Sequence, residues 1–187
     1  ENHRILAGIK KWPLGWMKRE SVVCYERAAG RIRNKRAGRA DAAFLRGVLK
    51  AEYLPTAVGN ASDHYVLLTP GGEPRFLTVE EVARGIQIPA GSPLMRMLSS
   101  PTPLTVIQAV SCLGQSIHVG VGRSIVSKLL GGGVLTCGLS YGSAYSGIDT
   151  FAAAVDVETC GKWTYVFASE KCKTVRKALL SAWGCRG

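Results

Sequence analysis

The chain has 187 residues, is 47% hydrophobic and carries a formal net charge of +11. That length buries one sizeable core, or one domain plus part of another, and no apolar run approaches the ~20 residues of a membrane-spanning helix. Neither a membrane nor a metal partner is expected. Cys24, Cys112, Cys137, Cys160, Cys172 and Cys185 are widely spaced with no CxxC pair. Such spacing argues against a zinc site and against a disulfide framework, and predicts reduced thiols in an intracellular protein. The opening ENHRILAGIKKW has no Met and no apolar leader before a small-residue cleavage site, which predicts the interior of a longer chain.

Charge is concentrated at the start. Residues 1–50 hold thirteen Lys or Arg against four acids. A basic segment of this kind, with KKWPLGWMKRE and RIRNKRAGR, suits a polyanion, with nucleic acid the leading candidate. A solvated basic face, or a fragment whose acidic counterpart lies elsewhere, is the plainer alternative. The same segment contains Trp12 and Trp16, and Ala43, Phe44, Val48 and Leu49 predict a helix from Asp41 to Lys50.

Residues 51–77 read as short strands and turns, with Pro70, Gly71 and Gly72 marking one turn. Thr78 and Glu81 form a Thr-x-x-Glu capping pattern that opens a short helix ending before Pro89. Ser92-Pro93 opens a second helix, and Thr102-Pro103 a third that closes at Gly114. Ile117, Val121, Ile125 and Leu129 then fall on one helical stripe, followed by Gly131–Gly133 as a flexible joint.

Residues 142–171 are the most informative stretch. They predict a strand, a tight turn at Gly147, a helix from about Thr150 to Thr159, and a strand WTYVFAS ending on Glu170. A βαβ unit of this form binds nucleosides: glycine lets backbone approach the ligand, and a carboxylate ending the second strand takes ribose hydroxyls. A final helix, CKTVRKALLSAW, stops at Gly184. Only two strands of the expected sheet are present where a doubly wound sheet needs about five, so the chain is expected to stop partway through its own domain.

Several segments together resemble the DNA cytosine-5 methyltransferases. Ser143 to Phe151, SAYSGIDTF, is similar to that family's cofactor loop D-L-F-x-G-I-G-G-F, and Ala168 to Cys172 to the segment supplying its ribose-binding acid. Arg75-Phe76-Leu77-Thr78 with Glu81, Arg84, Gln87 and Pro89 resembles its R-x-L-T-x-x-E-x-x-R-x-Q-G-F-P box. Gln115-Ser116-Ile117 after Gly114, with Val121-Gly122-Arg123, resembles its closing helix G-N-[AS]-V-x-x-x-V-A. Box and closing helix precede the cofactor loop, the reverse of the usual order, as a circular permutation produces. The resemblance implies an α/β fold: an incomplete Rossmann-like methyltransferase sheet preceded by a small basic α+β recognition segment. It divides the chain into a recognition segment 1–73, the box and closing helix 74–130, and the first βαβ unit 131–187.

The cofactor implied is S-adenosyl-L-methionine. By the resemblance Tyr145 lies near the adenine, Ser146, Gly147 and Ile148 form the loop whose backbone approaches the methionine end, and Glu170 accepts the ribose hydroxyls. Lys171 stands where an aromatic residue is common, and Gln115 and Ser116 reach the amino-acid tail. Ser143 replaces the acid opening the loop. Asp149 and Thr150 replace paired glycines; Asp149 is read either as a helix N-cap or as a charge acting on the cofactor's tail. The implied partner is DNA, met through residues 1–50, and the implied activity is methyl transfer to C5 of cytosine.

The family's nucleophile is a Cys preceded by Pro, which attacks C6 of a flipped-out base. No Pro-Cys exists in this chain, so it has no catalytic residue to assign and is expected to be inactive alone. Glu1-Asn2 and Arg31-x-Arg33 are similar to the family's E-N-V and R-x-R only over two residues each. The alternative function is a non-enzymatic nucleic-acid-binding protein on a decayed methyltransferase scaffold.

Overall fold

The computed structural model describes residues 6, 7, 9, 21–24, 65–70, 73–99, 102–136, 138–144 and 146–184. The expected helix at 41–50, Trp12, Trp16, Tyr145 and nearly all of the basic segment lie outside them. The chain divides into two compact units, Glu1–Thr78 and Val79–Gly187. The boundary falls inside the R-x-L-T-like box.

In the first unit, β1 (Ser21–Cys24), β2 (Tyr65–Leu68) and β3 (Arg75–Phe76) form an antiparallel sheet in the order β1-β2-β3. Val22 pairs with Leu67, and Val66 with Phe76. β1 lies in the basic segment, where the sequence reading expected no strand. Val22 and Val23 favour extended backbone, but two apolar residues among charges give too short a run to show periodicity.

The second unit begins with α1 (Val79–Gly85), α2 (Pro93–Ser99), α3 (Val106–Gly114) and α4 (Val119–Gly131). Val82, Ala83, Leu94, Leu98, Leu113 and Val126 are buried among them. Ser92 caps α2, its hydroxyl accepting from the Met95 amide at 3.1 Å. α3 opens three residues later than the Thr102-Pro103 signal suggests. Thr105 is its N-cap and forms a full capping box with Gln108, while the Thr102 hydroxyl accepts from the Leu104 amide in the turn before it. The box satisfies two backbone donors at once, which fixes the start there.

The stripe of Val121, Ile125 and Leu129 exists, but it faces outward: Val121 is 52% and Ile125 42% exposed. The buried side of α4 carries Val119, Gly122 and Val126. Gly122 lies against α5 (Thr150–Glu158), where an added Cβ would stand 2.9 Å from Cβ of Ala154. Small residues there let the two helices approach closely. Gly131–Gly133 is a hydrogen-bonded helix end rather than a loose joint. The amides of Gly132 and Gly133 donate to Lys128 and Leu130, those of Val134 and Leu135 both donate to Leu129, and Gly133 takes φ +70°.

β4 (Leu139–Ala144), α5, β5 (Trp163–Ser169) and α6 (Lys173–Trp183) follow. β4 and β5 pair in parallel, giving the βαβ unit that the sequence implies. The general α/β class therefore holds, with one three-stranded and one two-stranded sheet among the described residues. The register slips between Tyr141 and Gly142: Tyr141 pairs with Tyr165, but Gly142 pairs with Phe167. Val166 is the extra residue, so alternation breaks and both Val166 and Phe167 face outward. The Phe167 ring lies over Gly142, on space that any Cβ would occupy. The opposite face is an aromatic layer in which Tyr165 stacks on Trp183 of α6 at 6.3 Å, with Trp163 edge-on to both.

Candidate functional site

Parallel βαβ units present backbone and side chains beyond the carboxyl ends of their strands, where ligands bind in open α/β sheets. Here the turn after β4 is tight. The Ser146 amide donates to the Ser169 carbonyl at 2.9 Å and the Asp149 amide to the Ser146 carbonyl at 2.8 Å. Gly147 takes φ +55°, which glycine adopts without Cβ strain. The Gly147 amide donates at 2.9 Å to Oε2 of Glu170, whose Oε1 accepts from the Cys172 amide at 2.7 Å. Glu170 thus fastens the loop after one strand to the loop after the other. Each carboxylate oxygen has further acceptor capacity.

A cavity opens at this point. Its volume is about 480 Å³, within the range of roughly 300–1,000 Å³ usual for small-molecule sites. Ser146, Gly147 and Glu170 line one side, and Gln115 and Ser116, from the end of α3, line another. Five of the eight residues expected to hold a cofactor therefore surround one space. Ile148 is fully buried, its carbonyl accepting from Nε1 of Trp183 at 3.5 Å. The exposed Lys171 does not line the cavity. Tyr145 is outside the described residues.

Two segments distant in sequence are joined at the rim. The Thr150 hydroxyl donates to the Ile117 carbonyl at 2.9 Å, and the Ser116 hydroxyl to the Cys112 carbonyl. Next to them, Val119 donates its amide to the Ile86 carbonyl and the Gln87 side chain lies over Gly120. Helix α1 and the closing segment thereby share one junction. Gln87 and Asp149 both take left-handed backbone, at φ 64° and 54°.

Asp149 is the N-cap of α5, accepting from the Ala152 amide at 3.1 Å, and it is only 4% exposed. It also does something the sequence did not reveal. The phenols of Tyr141 and Tyr165 donate to its two oxygens, at 2.9 Å to Oδ1 and 2.7 Å to Oδ2. Burial pushes both phenols above the ordinary tyrosine range, and the charge and hydrogen bond of Asp149 push them further. Tyr141 stacks against Phe151 at 6.1 Å, and both rings line the cavity with Asp149. Tyr141, Trp163 and Tyr165 stand at alternate positions on paired strands, the one signal that could have marked this layer in advance.

Cys112 and Cys172 also line the cavity. Burial pushes the Cys112 thiol up to about 11, helped by Cys172 and Glu170, so at neutral pH it is a protonated thiol and not a nucleophile. Among the described residues no group of three or more His, Cys, Asp or Glu side chains could hold a metal ion, and no helix is long and apolar enough to cross a membrane.

No family model, no curated protein and no solved structure matches the chain.

Proposed function

We propose that residues 79–187 form the beginning of an S-adenosylmethionine-binding domain of the DNA cytosine-5 methyltransferase type, in permuted order, with residues 1–50 meeting DNA. One observation carries this reading: Gln115-Ser116, Ser146-Gly147 and Glu170, from three separate resembling segments, line a single cavity beyond the ends of two parallel strands. The parallel strand pairing itself sets Ser146-Gly147 beside Glu170; what the resemblance adds is that Gln115-Ser116, from the end of α3, joins them.

The chemistry of the lining supports a nucleoside rather than a phosphorylated dinucleotide. Among the described lining residues there is no Lys, Arg or His, and two are carboxylates. A pyrophosphate would meet repulsion there, and the Ala152 amide of α5 is already taken by Asp149. Ribose hydroxyls, in contrast, can donate to the free lone pairs of Glu170, and such charge-assisted bonds are worth roughly 1.5–3 kcal/mol each. Ser116, whose hydroxyl proton goes to the Cys112 carbonyl, keeps its oxygen as an acceptor for the ammonium of an amino-acid tail, and Gln115 lines the cavity beside it. When bound, the cofactor supplies an electrophilic methyl group; this chain's residues hold and orient it, and the attacking thiolate has to come from elsewhere, since no Pro-Cys is present.

The incomplete Rossmann-like sheet belongs to the same proposal. Parallel strands are normally covered on both faces, yet Val166 and Phe167 are 60% and 56% exposed. A second helical layer packed on that face would cover both side chains.

The test is calorimetric titration of the chain with S-adenosylhomocysteine, beside its Glu170→Ala form. Saturable heat is expected from the wild type, and at least about tenfold weaker binding from the variant, which loses the ribose acceptor and unfastens Gly147. No heat from the wild type with this ligand or with S-adenosylmethionine overturns the reading. For DNA, affinity is expected to fall steeply with added salt and to require residues 1–50; salt-independent binding, or none, removes that part.

A further inference from the structure

We infer that Asp149 makes this cavity selective for a positively charged nucleoside over its neutral counterpart, so that the sulfonium methyl donor is held more tightly than the thioether it leaves behind. The inference rests on the cofactor reading above and adds to it which charge state the site prefers.

Asp149 is almost fully buried, and among the described residues its carboxylate accepts hydrogen bonds only from neutral groups: two phenols and one backbone amide. Neutral donors orient a carboxylate without cancelling its charge. The salt bridge formed by Arg123 of α4 is made with Glu158, at the other end of α5. Within the described lining the only other carboxylate is Glu170, and there is no Lys, Arg or His beside them. A buried charge with low-dielectric walls acts strongly on whatever occupies the space beside it. Here that space is the cavity.

The wall itself favours a cation. Tyr141 and Phe151 lie nearly parallel, with 19° between their planes, and both line the cavity beside Asp149. Aromatic faces attract cations through their quadrupole, more so where water is excluded. Carboxylate and rings therefore act in the same direction on a cationic group placed beside them. Transfer of the methyl group leaves its bonding electron pair on sulfur, turning the sulfonium into a neutral thioether, and both attractions are lost. The spent cofactor would leave more readily than a pocket built only for adenosine allows.

The experiment compares three ligands by calorimetry on the same protein: S-adenosylmethionine, S-adenosylhomocysteine, and sinefungin, which carries an amine where the sulfonium stands. The expected result is that both cationic ligands bind about tenfold or more tightly than the thioether. In Asp149→Asn that ratio is expected to fall to about twofold. The ratio within each protein is the readout, so a general loss of affinity cancels. Phe151→Leu, expected to lower the ratio in part, decides the matter if Asp149→Asn does not fold. Equal binding of all three ligands to the wild type, or an unchanged ratio in the variants, overturns the inference and leaves the cofactor reading standing. Binding of none overturns both.

Discussion

The phenol of Tyr165 donates a 2.7 Å hydrogen bond to Oδ2 of Asp149, sixteen residues earlier in the chain. Tyr141 reaches the other oxygen of the same carboxylate. One side chain thus caps α5, holds the turn after β4 and clasps both strands of the parallel pair. Much of the order around the cavity depends on it.

Substitution of Asp149 should separate these roles. Ala at this position loses the cap, strains the left-handed backbone and leaves two half-buried phenols without their acceptor. The expected cost is about 3–5 kcal/mol. Asn tolerates the backbone and retains a capping oxygen, and should cost about 1–2 kcal/mol. Chemical denaturation measures both, and equal losses would show that the phenols and cap contribute nothing beyond the charge.

Alkaline pH should weaken the fold through the same cluster. Tyr141 and Tyr165 hold their protons more tightly folded than unfolded. Above the unfolded value of about 10 the unfolded chain therefore binds fewer protons than the native one, and stability falls as pH rises. The contribution is complete below pH ~10 and is lost as pH climbs through the higher folded values. Denaturation midpoints measured from pH 8 to 11.5 should be flat and then decline. The double variant Tyr141→Phe, Tyr165→Phe should start lower and decline less; parallel curves for the two proteins would contradict this origin.

The close approach of α4 and α5 makes a prediction independent of that cluster. At Gly122 a Cβ would press on Ala154 and on the Phe151 ring, whereas at Gly131 it meets nothing within 4 Å. Gly122→Val should destabilise by about 1–3 kcal/mol through overpacking. Gly131→Ala should be neutral or stabilising by up to about 1 kcal/mol. Thermal melts of the two single variants decide it, and a harmless Gly122→Val would mean that the helices are not in contact.

Cys112 should resist alkylation. With its thiol pushed up to about 11, only about one molecule in a thousand is thiolate at pH 8. Peptide mapping after iodoacetamide treatment should find it modified far more slowly than a small free thiol, with a rate rising about tenfold per pH unit to pH 10. Modification as fast as the free thiol at pH 8 would place it outside the cavity.

The sequence alone determined the elements of the βαβ unit. Strand WTYVFAS, the helix opening after Asp149 and the stop at Gly184 all appear where their local signals stand. Caps, alternation and glycine breaks are written within ten residues of the feature they create, so they survive reading without a structure. Which faces meet was settled by packing between distant segments. It turned the Val121 and Ile125 stripe outward and set Gly122 against Ala154. It also inserted Val166 as an unpaired residue and brought two tyrosines from separate strands onto one aspartate. Periodicity marks the faces of an element but not their partners. The partner is chosen by close packing and by where a buried charge can find donors, and both depend on residues far away along the chain.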